Sequence, residues 1–369
     1  MARRASLQGG AGGRSSPSPA PLWRVLLPDS AACIHLSPRA PLVGAATFAG
    51  PVLFFDNASG ALVGRAAGHP GGALVIAFCP SSPLVATGGQ DGQVHLFEPG
   101  EPAPSTRIAA GSSPVSHLVW SPDGEVLASA CGRAVRFWSR AGEPLGEIGE
   151  HASTVLSLAW SDAQAAWLSG CYGGVTIVPR ATLQCEQQLF ARTSILTAAA
   201  SPCGRYIAAG AQDPVVRLWD LHGVDEAVHL EGYKGKIATL AWGREGAILA
   251  TASGASVVLW SLAGGDPYRA PHIELPGHTR RVMALRFLHD GRALLTAAAD
   301  GRLRLFDLTK STIAAAELAM GGPLHLLDVS TTGDHAIAAD TDGALHGVSL
   351  LRRSARPARR PRGQALALP

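Results

Sequence analysis

The chain lacks the features that usually announce a membrane protein, a disulfide scaffold or an enzyme. No apolar run approaches the roughly 18 residues that a membrane-spanning helix needs, because Gly, Pro and Asp interrupt the hydrophobic stretches every few positions. The opening MARRASLQGGAGGRSSPSPAP carries charge with no apolar segment behind it, which argues against a secretory leader. Six cysteines stand at 33, 79, 131, 171, 185 and 203, never closer together than 14 residues. That spacing gives no CxxC pair, and no disulfide framework is expected in a chain of this size. There is no GxxxxGKS/T phosphate loop, no HExxH and no GxSxG elbow after a strand. These absences point to a soluble, cytoplasmic protein with no cofactor, no metal, no membrane contact and no small-molecule substrate.

Charge is also scarce. Only 16% of residues are charged against 47% hydrophobic, so a large core can be buried. The few charges are placed unevenly. Residues 1–21 contribute +3 and residues 352–369 contribute +6 through Arg352, Arg353, Arg356, Arg359, Arg360 and Arg362. Set against a whole-chain net charge of +3, the body between them is −6. The Gly-, Ser- and Pro-rich start and the Arg-rich end both read as disordered tails. The C-terminal one has no aromatics for base stacking, so any nucleic-acid contact through 352–369 would be salt-sensitive phosphate contact alone.

What the sequence does have is a period. Turn-forming clusters begin at 37 (SPRAP), 79 (CPSSP), 121 (SPDGE), 161 (SDAQA), 201 (SPCGR), 243 (GREGA), 288 (LHDGR) and 330 (STTGD), spaced 42, 42, 40, 40, 42, 45 and 42 residues apart. Pro or Gly beside Ser or Asp is the chemistry of a tight turn. Before each turn stands a short apolar strand such as VSHLVW or IATLAW. After it comes a strand of small residues such as YIAAGA or ALLTAAA, and then a β-branched strand closing on a bulky residue. Alternation over 4–6 residues between turn signals predicts antiparallel β-structure. The fourth strand is the weakest signal, and TIAAAEL at 312–318 fills one such slot despite its helical propensity.

Four strands repeated every 40–45 residues form the pattern of a β-propeller. The arrangement resembles the WD-repeat family over residues 22–351, although VRLWD at 216–220 holds the chain's only Trp-Asp pair. Aligned on Trp219, the third strands close on Phe55, Phe97, Trp138, Val178, Trp219, Trp260, Phe306 and Val348. The expectation is therefore an all-β, single closed propeller over 22–351, with eight blades, or alternatively seven. LWRVLL at 22–27 is placed to supply the outer strand of the last blade. The resemblance also implies buried hydrogen-bonded sets of His, Ser or Thr, Asp and Trp. It transfers to His69, Thr87 and Asp91, and to His278, Thr296 and Asp300, both with Phe in place of Trp. Elsewhere the set is broken. Asp213 lacks a His, His151 lacks an Asp, Tyr233 stands where a His is expected, and Asp342 has no His.

The family's members are known as rigid platforms in multiprotein assemblies, so the resemblance implies a non-catalytic scaffold or adaptor that binds other proteins. Candidate contacts are Gln90 and Gln212, just before turn residues, together with a basic group on the loops entering units five, six and seven: Arg192, Tyr233, Lys234, Lys236, Arg280 and Arg281. Such a patch on an acidic body suits an acidic or phosphorylated peptide. Two other readings stay open, an enzyme with a site at the channel mouth and a nucleic-acid-associated protein using its tails. Cys131 and Cys171 occupy equivalent places in neighbouring units, where a metal or redox pair helped by His117 or His151 competes with the simpler reading of structural thiols.

Overall fold

The computed structural model describes residues 18–350 apart from 49, 224–225, 265, 289–290 and 311–314. The two tails assigned from sequence fall mostly or wholly outside these described residues. Almost all regular structure is antiparallel strand, and among the described residues there is no α-helix, only two single-turn 3-10 segments. No helix there is long and apolar enough to cross a membrane.

Each sequence repeat folds as expected from its turns. Unit three shows the pattern: Val115–Trp120, Val126–Cys131, Ala134–Ser139 and Pro144–Ile148 pair in order, antiparallel throughout. The first strands of the eight units contact one another in succession, from Ala31–Leu36 round to Leu324–Val329 and back, which closes the ring. The segment at 312–318 falls partly outside the described residues, but Ala315–Ala319 is a strand at the outer edge of unit seven. The sheet register has overridden its helical propensity.

The blade count differs from the leading expectation. Seven hydrogen-bonded sheets make up the propeller, six of four strands and one of six. The six-stranded sheet is a double blade carrying units four and five. Its two central strands, Ala166–Pro179 and Gln187–Ala200, are each 14 residues long. Ala166–Pro179 doubles back near Tyr172 and Gly173, since the Arg180 N–H bonds to the Ala165 carbonyl. Gln187–Ala200 runs unbroken from the outer strand of unit four into the inner strand of unit five, and Tyr172 pairs with Ser194 across the junction. All eight sequence units are used, but no loop separates these two into distinct sheets.

Packing explains why the second strands are built from small residues. YIAAGA, VLASAC and ALLTAA are buried at every position, because both of their faces meet other strands. A Cβ added at Gly44, Gly88, Gly170 or Gly210 would lie 2.4–2.7 Å from the first strand of the next unit, at Ile76, Val115, Ile195 and Ile237. Close approach of neighbouring units therefore requires glycine at those places. The same ring of contacts is tied by indole N–H groups. Trp120, Trp167 and Trp242 donate to the carbonyls of Ala77, Val119 and Ala199, each in the preceding unit.

Closure comes from the two ends of the body. Ala20–Leu26 pairs with Ala344–Ser349, so a strand preceding unit one completes unit eight, as the placement of LWRVLL led one to expect. Trp23 seals the joint. Its Nε1 donates to Asn57 O at 2.8 Å, and its ring covers both Gly60 and Gly347, where an added Cβ would come within 2.6 Å. Leu36 N–H to Asp328 Oδ2 and His325 Nε2–H to Ala31 O, both 2.8 Å, complete the seam. A closed ring leaves no long sheet edge for another chain to pair with.

Candidate interaction face and its buried hydrogen-bond sets

The loops that enter the first strands and the turns between second and third strands open on one face of the ring. Just beneath them lie the His-centred sets. In unit two, His69 Nδ1 is 2.9 Å from Asp91 Oδ1 and Nε2 is 3.0 Å from Thr87 Oγ1. In unit seven, His278 Nδ1 is 3.0 Å from Asp300 Oδ2 and Nε2 is 2.7 Å from Thr296 Oγ1. Both threonines are fully buried. Burial holds both imidazoles below their ordinary pKa although the aspartates pull the other way, so the rings are neutral at pH 7. Asp300 is pushed up by burial, yet the Thr279 N–H and the His278 ring outweigh this and keep its carboxyl below the usual range.

The units whose sets looked broken in the sequence are closed by other means. His151 has no aspartate, and its Nδ1 donates instead to the Arg133 carbonyl at 3.0 Å while Nε2 meets Ser169 Oγ at 2.8 Å. In unit three, Trp138 Nε1 donates straight to Ser129 Oγ at 2.8 Å with no His involved. Asp213 is held by both terminal nitrogens of Arg217, at 2.9 and 2.6 Å, and the guanidinium lowers its pKa. In unit eight the active partner is Asp340, at the end of the second strand and two residues before the Asp342 singled out from sequence. Its carboxylate sits 2.9 Å from His346 Nε2, with both side chains buried. Sequence reading missed this pair because it searched for a His ahead of the first strand, and His346 stands on the third.

Tyr233 does not belong with the exposed contacts it was grouped with. Its hydroxyl lies 2.6 Å from Thr251 Oγ1 and accepts from Trp260 Nε1 at 2.7 Å, and burial raises its pKa to about 12. It fills the histidine's place in unit six, so its polar group is unavailable to a partner. Cys131 and Cys171 are likewise committed separately, the first thiol donating to Ser113 O and the second to Tyr172 O. His117 bonds Ser116 Oγ, and its burial drives its pKa down to about 4.

The remaining candidates are exposed: Arg192, Lys234, Lys236, Arg280 and Arg281, with Gln90 and Gln212. Among the described residues none of the five cations forms an ion pair. The Arg280–Arg281 loop is pinned by backbone bonds, Ala299 N–H to Arg281 O and Val282 N–H to Gly254 O, and the Lys234–Lys236 loop by the Ser253 hydroxyl donating to Gly235 O. Arg192, expected on a loop, stands instead within the strand Gln187–Ala200, which continues into unit five without a break. Units five, six and seven are consecutive in the ring, which places the five cations and Gln212 along one arc of the face. Gln90, in unit two, lies outside that arc.

With this geometry in place, comparison with known sequences is decisive for family. The sequence profile of the WD domain, G-beta repeat, matches residues 60–98, 104–139, 183–220 and 269–307. The chain is a WD-repeat protein. Each matched window starts near the outer strand of one unit and ends on the third strand of the next, so WD repeats interlock neighbouring units. Pre-mRNA-splicing factor cwf17 of Schizosaccharomyces pombe is 28% identical over 162 residues, which is 43% of this chain and 46% of that protein. Human Coronin-7 is 27% identical over 251 residues, 66% of this chain and 23% of coronin. Cell division cycle 20.1, cofactor of APC complex, of Arabidopsis thaliana is 28% identical over 174 residues, 43% of this chain and 38% of that protein. The chain thus spans less than half the length of these curated relatives. Among solved structures, the computationally designed Ika8 protein superposes with a TM-score of 0.72 at 18% identity, covering 88% of this chain and 98% of that one, a likeness of fold alone.

Proposed function

We propose that this WD-repeat protein is a non-catalytic interaction scaffold whose basic arc, from Arg192 to Arg281, receives an acidic or phosphorylated segment of a partner protein. One observation carries the reading: four exposed cations on the loops entering units six and seven, with exposed Arg192 on the long strand that enters unit five, have no ion-pair partner among the described residues, on a body of net charge −6. Guanidinium and ammonium groups so placed steer and clasp carboxylates or phosphates. The relatives support the general role, since their printed names place a splicing factor and a cofactor of a multiprotein complex among them. The working location in this reading is intracellular, in cytoplasm or nucleus.

The test compares wild type with the Arg280→Glu/Arg281→Glu variant for binding to matched phosphorylated and unphosphorylated acidic peptide libraries. Affinity purification with mass spectrometry then follows for both proteins. The proposal expects captured peptides and proteins to fall away in the variant and to weaken as salt rises. Capture unchanged by the double reversal at low and at physiological salt would refute it. Binding lost on deleting 352–369 instead would favour the nucleic-acid-associated reading of the tail.

A further inference from the structure

The turn aspartates of units five and seven share a neutralising partner four residues onward. Asp213 is gripped by Arg217, and Asp300 Oδ2 lies 3.4 Å from Arg304 Nη1. In unit two the same position is His95. It is 96% buried, its Nδ1 makes no hydrogen bond, and Asp91 Oδ2 is also buried without a partner. Buried polar atoms left without partners are costly. Units five and seven show what removes that cost, namely a cation between the strand and the turn. His95 places an imidazole there instead of a guanidinium.

We propose that His69, Asp91 and His95 form a binding site for one divalent transition-metal ion, with Zn2+ the best match to two imidazoles and a carboxylate. One nitrogen of each ring and one carboxylate oxygen lie within 4.8 Å of one another. Such a set leaves a fourth position of a tetrahedral ion free for solvent or a partner's side chain. Thr87 makes the change of state possible. Without metal, His69 Nδ1–H donates to Asp91 and Nε2 accepts from the Thr87 hydroxyl. With metal, Nδ1 presents its lone pair, the proton sits on Nε2, and the hydroxyl turns round to accept it. A hydroxyl serves equally as donor and acceptor, so His69 remains satisfied either way. The two rings now stack with centroids 3.9 Å apart and planes 16° from parallel. A ligand nitrogen binds in its own ring plane, so the His95 ring must rotate to converge on the ion. Nδ1 sacrifices no hydrogen bond in doing so.

No metal motif marks this site in the sequence, because its ligands are 22 and 4 residues apart and sit on a loop, a turn and a strand. Unit seven is the internal control: it repeats the His, Thr and Asp but has Arg304 in the place of His95. The experiment uses the full-length protein stripped with a chelator and titrated with Zn2+ by calorimetry and with Co2+ by visible absorption. Wild type is expected to bind one ion per chain, to show Co2+ bands of nitrogen and oxygen ligation without thiolate charge transfer, and to melt at higher temperature with Zn2+. His95→Arg, which copies unit seven, is expected to lose the ion while keeping the wild-type circular dichroism. His95→Gln provides a second variant should the arginine perturb folding, and Thr87→Val should weaken binding about 10-fold through the outer contact. Absence of 1:1 binding in wild type would overturn the proposal. So would equal binding by both His95 variants, or a thiolate spectrum pointing to Cys185 or Cys203.

Discussion

Replacing Tyr233 by Phe separates a structural tyrosine from a partner-binding one. The ring is retained, so no large cavity opens and the packing against Trp260 persists. What disappears is one oxygen that bridges Thr251 and Trp260. Thr251 keeps an alternative acceptor, Val258 O at 3.3 Å, but the indole N–H of the buried Trp260 is left with none. An unpaired buried donor costs about 1–3 kcal/mol, so a loss of about 2 kcal/mol is expected. In a propeller of this size that shifts Tm by a few degrees. Tyr233→His should be milder. A histidine can meet Thr251 as His151 meets Ser169, and Trp260 can then donate directly to the threonine as Trp138 does to Ser129. Urea unfolding followed by tryptophan fluorescence would rank the three proteins. A Phe variant within about 0.5 kcal/mol of wild type, the spread of ordinary surface substitutions, or a His variant as unstable as Phe, would refute the reasoning. Peptide capture by the basic arc should be unchanged in both.

Two further outcomes follow from the same structure. Trp23→Ala removes the indole over Gly60 and Gly347 and the bond to Asn57. It should lower stability by about 3 kcal/mol, and proteolysis should cut first near residues 20–26. A variant as protease-resistant as wild type would show that the strand pairing alone holds the ring shut. Acid should destabilise the fold early, in the histidine range. His69, His95, His117, His151 and His278 all have folded pKa values below 6.5, chiefly through burial. The unfolded chain therefore binds protons first, and stability present above pH 6.5 is lost as pH falls towards about 4 for His95 and His117. Asp213, Asp220 and Asp300, with depressed values, add their loss only below the ordinary carboxylate range. A urea midpoint unchanged between pH 7 and pH 4.5 would contradict this.

The propeller was legible because its signals are local and repeated. A turn every 40–45 residues, a small-residue strand after it and a bulky close on the third strand are each demanded by how neighbouring units approach one another. The clash of a Cβ at Gly88 or Gly210 with the next unit shows that demand directly. The joint between units four and five was not legible. Whether Ala191 runs on into Ser194 without a loop depends on pairing with Tyr172, a contact that no turn residue records. The inter-unit indole bonds of Trp120, Trp167 and Trp242 were equally hidden, since their acceptors are backbone carbonyls of another unit.

The hydrogen-bond sets show why the family's residues are a poor guide once the repeats diverge. What every unit must satisfy is a group of buried polar atoms, and several chemistries do so. A carbonyl replaces the aspartate at His151, a tyrosine replaces the histidine in unit six, an arginine serves Asp213, and a third-strand histidine serves Asp340. Each substitution looked like decay in the sequence and is a closed set in space. Unit two inverts the comparison. His69, Thr87 and Asp91 match the family pattern, yet this is the unit left with the unpaired Asp91 Oδ2 and His95 Nδ1. The residue that decides its state is His95, which that pattern passes over. Where a set looks whole by motif but is open by hydrogen bonding, the open atoms are the place to look for a ligand.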